Sequence, residues 1–280
     1  MSTHGRMKNM INQDYKKLLS GKSVIREQFE FANQLAQEIG KENVFNYSLG
    51  NPSVPTHPDF TTSLIEILQN LDPVSIHGYS PSLGITSVRE RVAQSLNHRF
   101  QMNYTLDNIF MTNGAASSMS HSIRAVTKAG DEVLTFAPYF PEYSQYVGQS
   151  GALLKVVEAN TENFEINFDA FKRALNSQVQ AVIINTPNNP SGIAYSKETI
   201  IELCSILKSK EQEYGHEIFI ITDEPYREII FDHKESIYIS HYYDNTLSCY
   251  SFSKSLSLPG ERIGYIAVNP KAIDSDILVS

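Results

Sequence analysis

Short apolar runs recur along the second half of the chain, at Ile109–Thr112, Glu132–Phe136, Leu153–Val157, Ala181–Asn185, Ile218–Thr222, Thr246–Tyr250 and Ile263–Val268. Their length and β-branched content predict strands. Between most of them, apolar residues return at helical spacing, predicting helices over Ala116–Lys128, Pro141–Gln149, Phe168–Leu175 and Lys197–Lys208. Buried strands alternating with amphipathic helices imply an α/β fold, its sheet mostly parallel and covered on both faces. Earlier in the chain, Ile25, Phe29, Ala32, Leu35, Ala36 and Ile39 keep the same helical spacing, with Gly40 as a stop. A helix is expected over Thr61–Gln69, a loop over His77–Gly84, and Ser87-x-x-Glu90 reads as a capping box opening another helix.

Composition narrows the class. The 280 residues accommodate one large α/β domain, or a large and a small one, and 41% hydrophobic content supports a substantial core. A net charge of −8 argues against non-specific nucleic-acid binding and against an anionic membrane surface. Any anionic ligand must therefore be held by local donors. Cys204 and Cys249 lie in helix-like and strand-like stretches outside any CxxC pair, which implies core packing in a reducing compartment. The polar stretch Met1–Lys22 lacks the apolar core of a signal peptide, and no run approaches transmembrane length. The expectation is a cytoplasmic protein. The histidines are scattered without metal-ligand spacing, so no metal site is expected.

The most unusual stretch joins the last two runs. Between Tyr250 and Ile263 stand four serines, Lys254, one proline, one glycine and Arg262. Lys254 is flanked by Ser253 and Ser255 and followed by Leu256 and Leu258, a setting that predicts a dry, polar pocket. Desolvation lowers a lysine pKa and frees the amine to attack a carbonyl. Ser251, Ser253 and Arg262 offer a hydroxyl- and guanidinium-lined nest for a phosphate. A Schiff-base lysine beside an anion site is what pyridoxal phosphate needs. On these residues alone, a strand-loop-strand with one ordinary solvated lysine reads equally well.

Ser-x-Ser-Lys with an arginine eight residues after the lysine resembles the cofactor-lysine segment of the class I/II aminotransferases, the aspartate-aminotransferase-like (fold type I) pyridoxal-phosphate enzymes. Further segments match this family in its order, from about Tyr47 to Val268. In Thr112–Ser118, small residues at a helix start leave backbone N–H groups open to an anion, although a tight turn uses them too. The resemblance assigns Gly114, Ala115 and Ala116 to the cofactor phosphate, with alanine at 116 where a hydroxyl residue is often found. It places Phe140 against the cofactor ring, whereas Tyr139 and Tyr143 also read as hydrophobic loop anchors. In Asn185–Gly192, two prolines and a glycine predict a rigid loop, and the resemblance puts Asn189 on the cofactor's phenolic oxygen.

Asp223 closes an apolar run, so its carboxylate is expected to be buried, which is costly without a positive partner. The resemblance supplies one, a protonated pyridine nitrogen; a helix cap or a structural salt bridge is the alternative. Tyr226, three residues on, matches the tyrosine that donates to the phenolic oxygen. Tyr79, with Gly84 five residues later, resembles the tyrosine that reaches the phosphate of a partner subunit, implying a homodimer; an ordinary loop also explains it. Gly50 and Asn189 match substrate contacts.

What the resemblance implies is a three-layer α/β/α large domain over 49–280 with a mainly parallel, mixed seven-stranded sheet. Residues 1–48 would be a helical segment of an incomplete small domain. The implied reaction moves an amino group from an L-amino acid, with aspartate as the first candidate, to a 2-oxo acid. Lys254, Asp223 and Tyr226 would be the catalytic residues. A fold type I carbon–sulfur lyase or decarboxylase, or a cofactor-binding chain without turnover, shares the same site. The family pattern continues past the last strand through a segment carrying the arginine for the substrate's α-carboxylate. No arginine follows Arg262 here, so the expectation is a chain shortened at its C-terminus, without that residue.

Overall fold

The seven apolar runs pair edge to edge in one sheet. The computed structural model describes residues 16, 24–231 and 237–279. Its strands are β1 (Ile109–Thr112), β2 (Glu132–Phe136), β3 (Leu153–Val157), β4 (Val179–Asn185), β5 (Phe219–Asp223), β6 (Thr246–Ser251) and β7 (Gly264–Val268), in spatial order β1-β7-β6-β5-β4-β2-β3. β7 runs antiparallel to both β1 and β6, and every other pairing is parallel. The carboxyl ends of six strands and the amino end of β7 thus share one edge, where ligands of open α/β sheets gather.

The chain divides into two compact units, Met1–Ser53 and Val54–Ser280. The first contains α1 (Val24–Ile39) and a 3-10 turn, Lys41–Asn43. Gly40 ends α1 with φ of 93°, a conformation that favours glycine. Of the segment expected over 1–48, residues 1–15 and 17–23 lie outside the described residues.

The second unit adds α2 (Pro58–Asn70), α3 (Pro73–His77), α4 (Thr86–Phe100), α5 (Ala115–Val126), α6 (Tyr143–Gln149), α7 (Phe168–Ala174), α8 (Lys197–Tyr214), α9 (Phe252–Ser255) and α10 (Ser275–Leu278). Among the described residues, no helix is long and apolar enough to cross a membrane. The expected capping box at Ser87 does not form. Met111 N–H donates to Leu83 O and Gly84 N–H to Pro81 O, and the Ile85 carbonyl already accepts from Val88 and Arg89. The chain therefore enters α4 at Thr86, with Ser87 inside the helix and no side-chain cap. α8 outruns its expected end at Lys208, because residues 210–213 are good helix formers and Lys210 pairs with Glu213 at 2.7 Å. Gly215, at φ of 73°, then stops it by donating to Glu211 O.

Helices cover both faces of the sheet. On one, Val133, Ile183, Ile221, Leu247 and Cys249 meet Met119 and Ile123 of α5 and Tyr143 and Val147 of α6. On the other, Leu134, Val182, Ile184 and Ile220 meet Phe171 of α7 and Ile200, Leu203, Cys204 and Leu207 of α8. The α8 spacing of three, one and three residues is the helical stripe that such a face requires. Beside it, Val92, Ala93 and Leu96 of α4 cover Ile109, Tyr250, Tyr265 and Ala267.

At the ligand edge, the backbones of β7 and the β1–α5 turn touch. A Cβ on Gly264 would overlap the Tyr250 carbonyl oxygen and lie 2.9 Å from Gly114 Cα. Gly264→Ala is expected to cost at least about 2 kcal/mol of unfolding free energy, because the obstacles are backbone atoms that cannot rotate away. Equilibrium denaturation in urea measures this directly, and an unchanged midpoint would contradict the contact.

Candidate active site

Asp223 is the last residue of β5, paired in register with Asn185 on β4 and Cys249 on β6. Its Oδ2 accepts a 2.6 Å hydrogen bond from the Tyr143 hydroxyl. Its Oδ1 is the one buried side-chain polar atom among the described residues that has no hydrogen-bond partner. Burial pushes the carboxyl up to about 6; the Tyr143 bond opposes that shift and the nearby Glu224 charge adds to it. Tyr143 is itself buried, and both burial and the Asp223 charge push its phenol upward. It thus remains a donor.

Asn185 ties the neighbouring loop to the backbone of Asp223. Its Nδ2 donates to the Asp223 carbonyl at 2.8 Å, and its Oδ1 accepts from the Asn189 N–H at 2.6 Å. The loop then folds on itself: Asn188 N–H donates to Ile193 O, Gly192 N–H to Asn188 O, and Ser191 to Asn188 Oδ1. That fixes the Asn189 side chain beside the Tyr226 hydroxyl. Burial and the Asp223 charge raise the Tyr226 pKa, and a hydrogen bond with Asn189 opposes them. Asn189, Asp223 and Tyr226 are therefore together at the ends of β4 and β5.

Lys254 lies in α9, the single turn that follows β6. Its amine is half-buried, and burial lowers its pKa. Ser251 caps this turn: its Oγ accepts from the Ser253 N–H at 3.1 Å and donates to Ser253 Oγ at 2.7 Å. The Ser251 hydroxyl is thus engaged in the cap. Arg262 is exposed, with φ of 53°, and reaches across to the β1–α5 turn. Its Nη1 donates to Pro259 O at 3.0 Å and its Nη2 to Asn113 O at 3.3 Å. A Cβ on Gly114 would lie 2.9 Å from Nη2, so glycine allows this approach. Ala115 and Ala116 open α5 directly behind Gly114. Ser118 fastens that helix to β7 by donating to Tyr265 O at 3.2 Å.

Phe140 is partly buried and meets Tyr143 edge-on, with ring centroids 5.7 Å apart and planes at 80°. Tyr79 is fully exposed. Gly50 is exposed and belongs to the first unit.

Residues 42–278 match the family described as aminotransferase class I and II. The chain belongs to this family. Among class I and II relatives, a probable aspartate aminotransferase of Methanocaldococcus jannaschii is 32% identical over 250 residues, covering 88% of this chain and 60% of the relative. An aspartate aminotransferase of Thermotoga maritima is 30% identical over 233 residues, covering 82% of this chain and 59% of the relative. The crystal structure of an amino transferase from Eubacterium rectale superposes with a TM-score of 0.92 at 46% identity, covering 96% of this chain and 68% of that one. The chain spans about 60% of the length of the curated relatives it matches. The mixed seven-stranded sheet is the one shared with fold type I aminotransferase structures.

Two site residues escape a sequence reading of this class I and II chain. Tyr143 reads as a loop anchor, and its bond to a residue 80 positions away leaves no local pattern. Asn185 is legible in hindsight by the same signal as Asp223, a polar residue closing an apolar run.

In the cofactor-free chain, Asp223 keeps its proton to about pH 6, against 3.8 for an ordinary aspartate. Its stabilising contribution is therefore full below about 3.8 and is lost as pH rises through about 6, a fall of about 3 kcal/mol. Asp223→Asn should flatten this slope in denaturation midpoints collected across that window. Tyr143→Phe, which removes the opposing hydrogen bond, should move the window to higher pH.

Proposed function

We propose that this chain binds pyridoxal 5'-phosphate at the carboxyl edge of its sheet and takes part in amino transfer between an L-amino acid and a 2-oxo acid. The observation that carries this reading is the buried, unmatched Oδ1 of Asp223, which lacks the positive donor that a protonated pyridine nitrogen would supply. The residues around it fit the rest of that group. Asn189 and Tyr226 present an amide and a phenol to its phenolic oxygen. Phe140 supplies an apolar ring near Asp223, through their shared neighbour Tyr143. Arg262, Ser253 and the N–H groups of Gly114, Ala115 and Ala116 would form the phosphate end, where a helix N-terminus favours negative charge, with Ser251 orienting the Ser253 hydroxyl through the cap.

When bound, the cofactor supplies an aldehyde for the amino group and a ring that accepts electrons released at the substrate's Cα. Lys254 would hold that aldehyde through Nζ, burial lowering the pKa of its amine. The same Nζ would be placed to hold the proton released from the substrate's Cα and to deliver it away from that carbon, as general base and then acid. Asp223 would keep the ring nitrogen protonated, and Tyr226 would offer its proton to the phenolic oxygen. Gly50 is assigned to the substrate on resemblance alone.

Aspartate is the first amino donor to test, since relatives carry the name aspartate aminotransferase, and methionine the second, since one is named methionine aminotransferase. A homodimer is part of the reading: Tyr79, fully exposed in one chain, would reach the phosphate of a partner subunit, and Leu64, Ile65 and Leu68 of α2 leave apolar surface uncovered nearby in sequence. Two buried free thiols, Cys204 and Cys249, suit a reducing, cytoplasmic setting.

Mixing the chain with pyridoxal 5'-phosphate and reducing with borohydride should yield a stable adduct on the Lys254 peptide, located by mass spectrometry and absent in Lys254→Ala. Adding aspartate should change the cofactor absorbance, and continuous oxo-acid formation should require an oxo-acid acceptor. Survival of the same adduct in Lys254→Ala would remove the central assignment. Turnover without acceptor would point to a lyase or decarboxylase, and an adduct without any half-reaction to a binding chain.

A further inference from the structure

The turn that carries Tyr226 to Asn189 also carries Glu228 to the opposite side, against α4. There Glu228 gathers a directional set of hydrogen bonds. Arg99 Nη1 donates to its Oε1 at 2.8 Å, and Arg227 Nε donates to the same oxygen at 3.3 Å. Tyr250 donates its hydroxyl to Oε2 at 2.9 Å. A phenol has one proton, so the Tyr250 oxygen can only accept from its remaining neighbour, Ser255 Oγ, at 2.7 Å. Ser255 is the last residue of α9 and follows Lys254 directly.

The Glu228 and Tyr250 links of this chain are held from outside. Arg227 is buried; its Nη1 pairs with Glu224 at 2.8 Å, its Nη2 donates to the Tyr265 hydroxyl at 2.9 Å, and its guanidinium lies 4.3 Å from the Tyr250 ring centroid. Tyr250 also packs edge-on against Phe252, with centroids 5.2 Å apart. Burial pushes Glu228 upward, but Arg227, Arg99 and Tyr250 outweigh it and hold the carboxyl below its usual range. Glu228 therefore stays a charged acceptor, and the hydroxyl chain keeps one direction.

We propose that Glu228 is a positioning residue: through Tyr250 and Ser255 it fixes the α9 turn, and with it the Lys254 amine, relative to the turn that presents Tyr226. This rests on the reading of Lys254 as the cofactor lysine. The two residues that would act on neighbouring substituents of the same ring are thereby braced from behind by one carboxylate. Small misplacements of reacting groups cost large factors in rate, so such a brace belongs where two turns must keep register.

The test uses the cofactor-free chain. Reductive methylation across a pH series, quantified by mass spectrometry peptide by peptide, reports the titration midpoint and reaction rate of Lys254 without any assay of turnover. In Glu228→Ala and Tyr250→Phe, the loosened turn should hydrate the amine. The Lys254 midpoint should rise and its neutral-pH rate fall on the order of tenfold, while other lysines stay unchanged. The double variant should be no worse than either single one, because both break the same chain. Glu228→Gln, whose amide oxygen still accepts from Tyr250, should recover most of the rate. Ser255→Ala removes only the last link and should reproduce the shift even where the alanine at 228 unfolds the protein. Wild-type Lys254 behaviour in Tyr250→Phe and Ser255→Ala, or multiplicative effects in the double variant, would overturn the proposal. A parallel arm with pyridoxal 5'-phosphate separates the two readings. No adduct on Lys254 in the wild type removes the cofactor assignment and this proposal with it. Capture by wild type and variants at the same rate removes the proposal alone.

Discussion

A carboxylate sealed from water with one oxygen bonded and the other unmatched is the constraint around which this fold is arranged. Leaving a buried ionisable group half-satisfied costs of order kilocalories, and a chain selected for stability alone would place an aliphatic residue there. Asp223 instead terminates a central strand, where its neighbours on β4 and β6 fix its backbone and Tyr143 fixes its orientation. The unmatched oxygen is therefore held in one direction. A local violation of otherwise consistent packing is the usual mark of a functional position.

Topology delivers the other groups to that point. In a parallel sheet, side chains at a ligand edge normally come from residues that follow strands, as Asn189, Tyr226 and Lys254 do. β7 breaks the rule by running the other way, so a residue that precedes a strand, Arg262, arrives at the same edge. One inverted strand thus brings a guanidinium to the start of α5. The opposite face of the sheet has a different task. α4, Arg227, Glu228 and Tyr250 form a charged and aromatic brace beneath the turns that present Tyr226 and Lys254.

The strands were legible within a residue or two, because buried β-branched runs of this length have few other uses. Helix limits were less so. Ser87 has the residues of a capping box, but the turn closed by Gly84 and Pro81 puts the N-cap of α4 at Ile85, two residues earlier. Asp223 stood out because an acid closing an apolar run carries an energetic cost that follows from residue order alone. Tyr143 did not, since nothing local distinguishes a tyrosine that anchors a loop from one that donates to a distant carboxylate. Ser251 shows the reverse case: its type suits an anion, and its hydroxyl is occupied by a helix cap. Motif reading recovers which residues lie together more readily than what each spare proton or lone pair is doing.

The contact between Gly114 and Gly264 bears on how the edge can change over time. Where two main chains meet with no side chain between them, their spacing is a ruler set by atomic radii, independent of rotamers. Neighbouring residues can then drift without resizing the gap between the start of β7 and the α5 terminus. Such a fixed gauge leaves side chains elsewhere along the edge free to vary while the spacing between β7 and the start of α5 is kept.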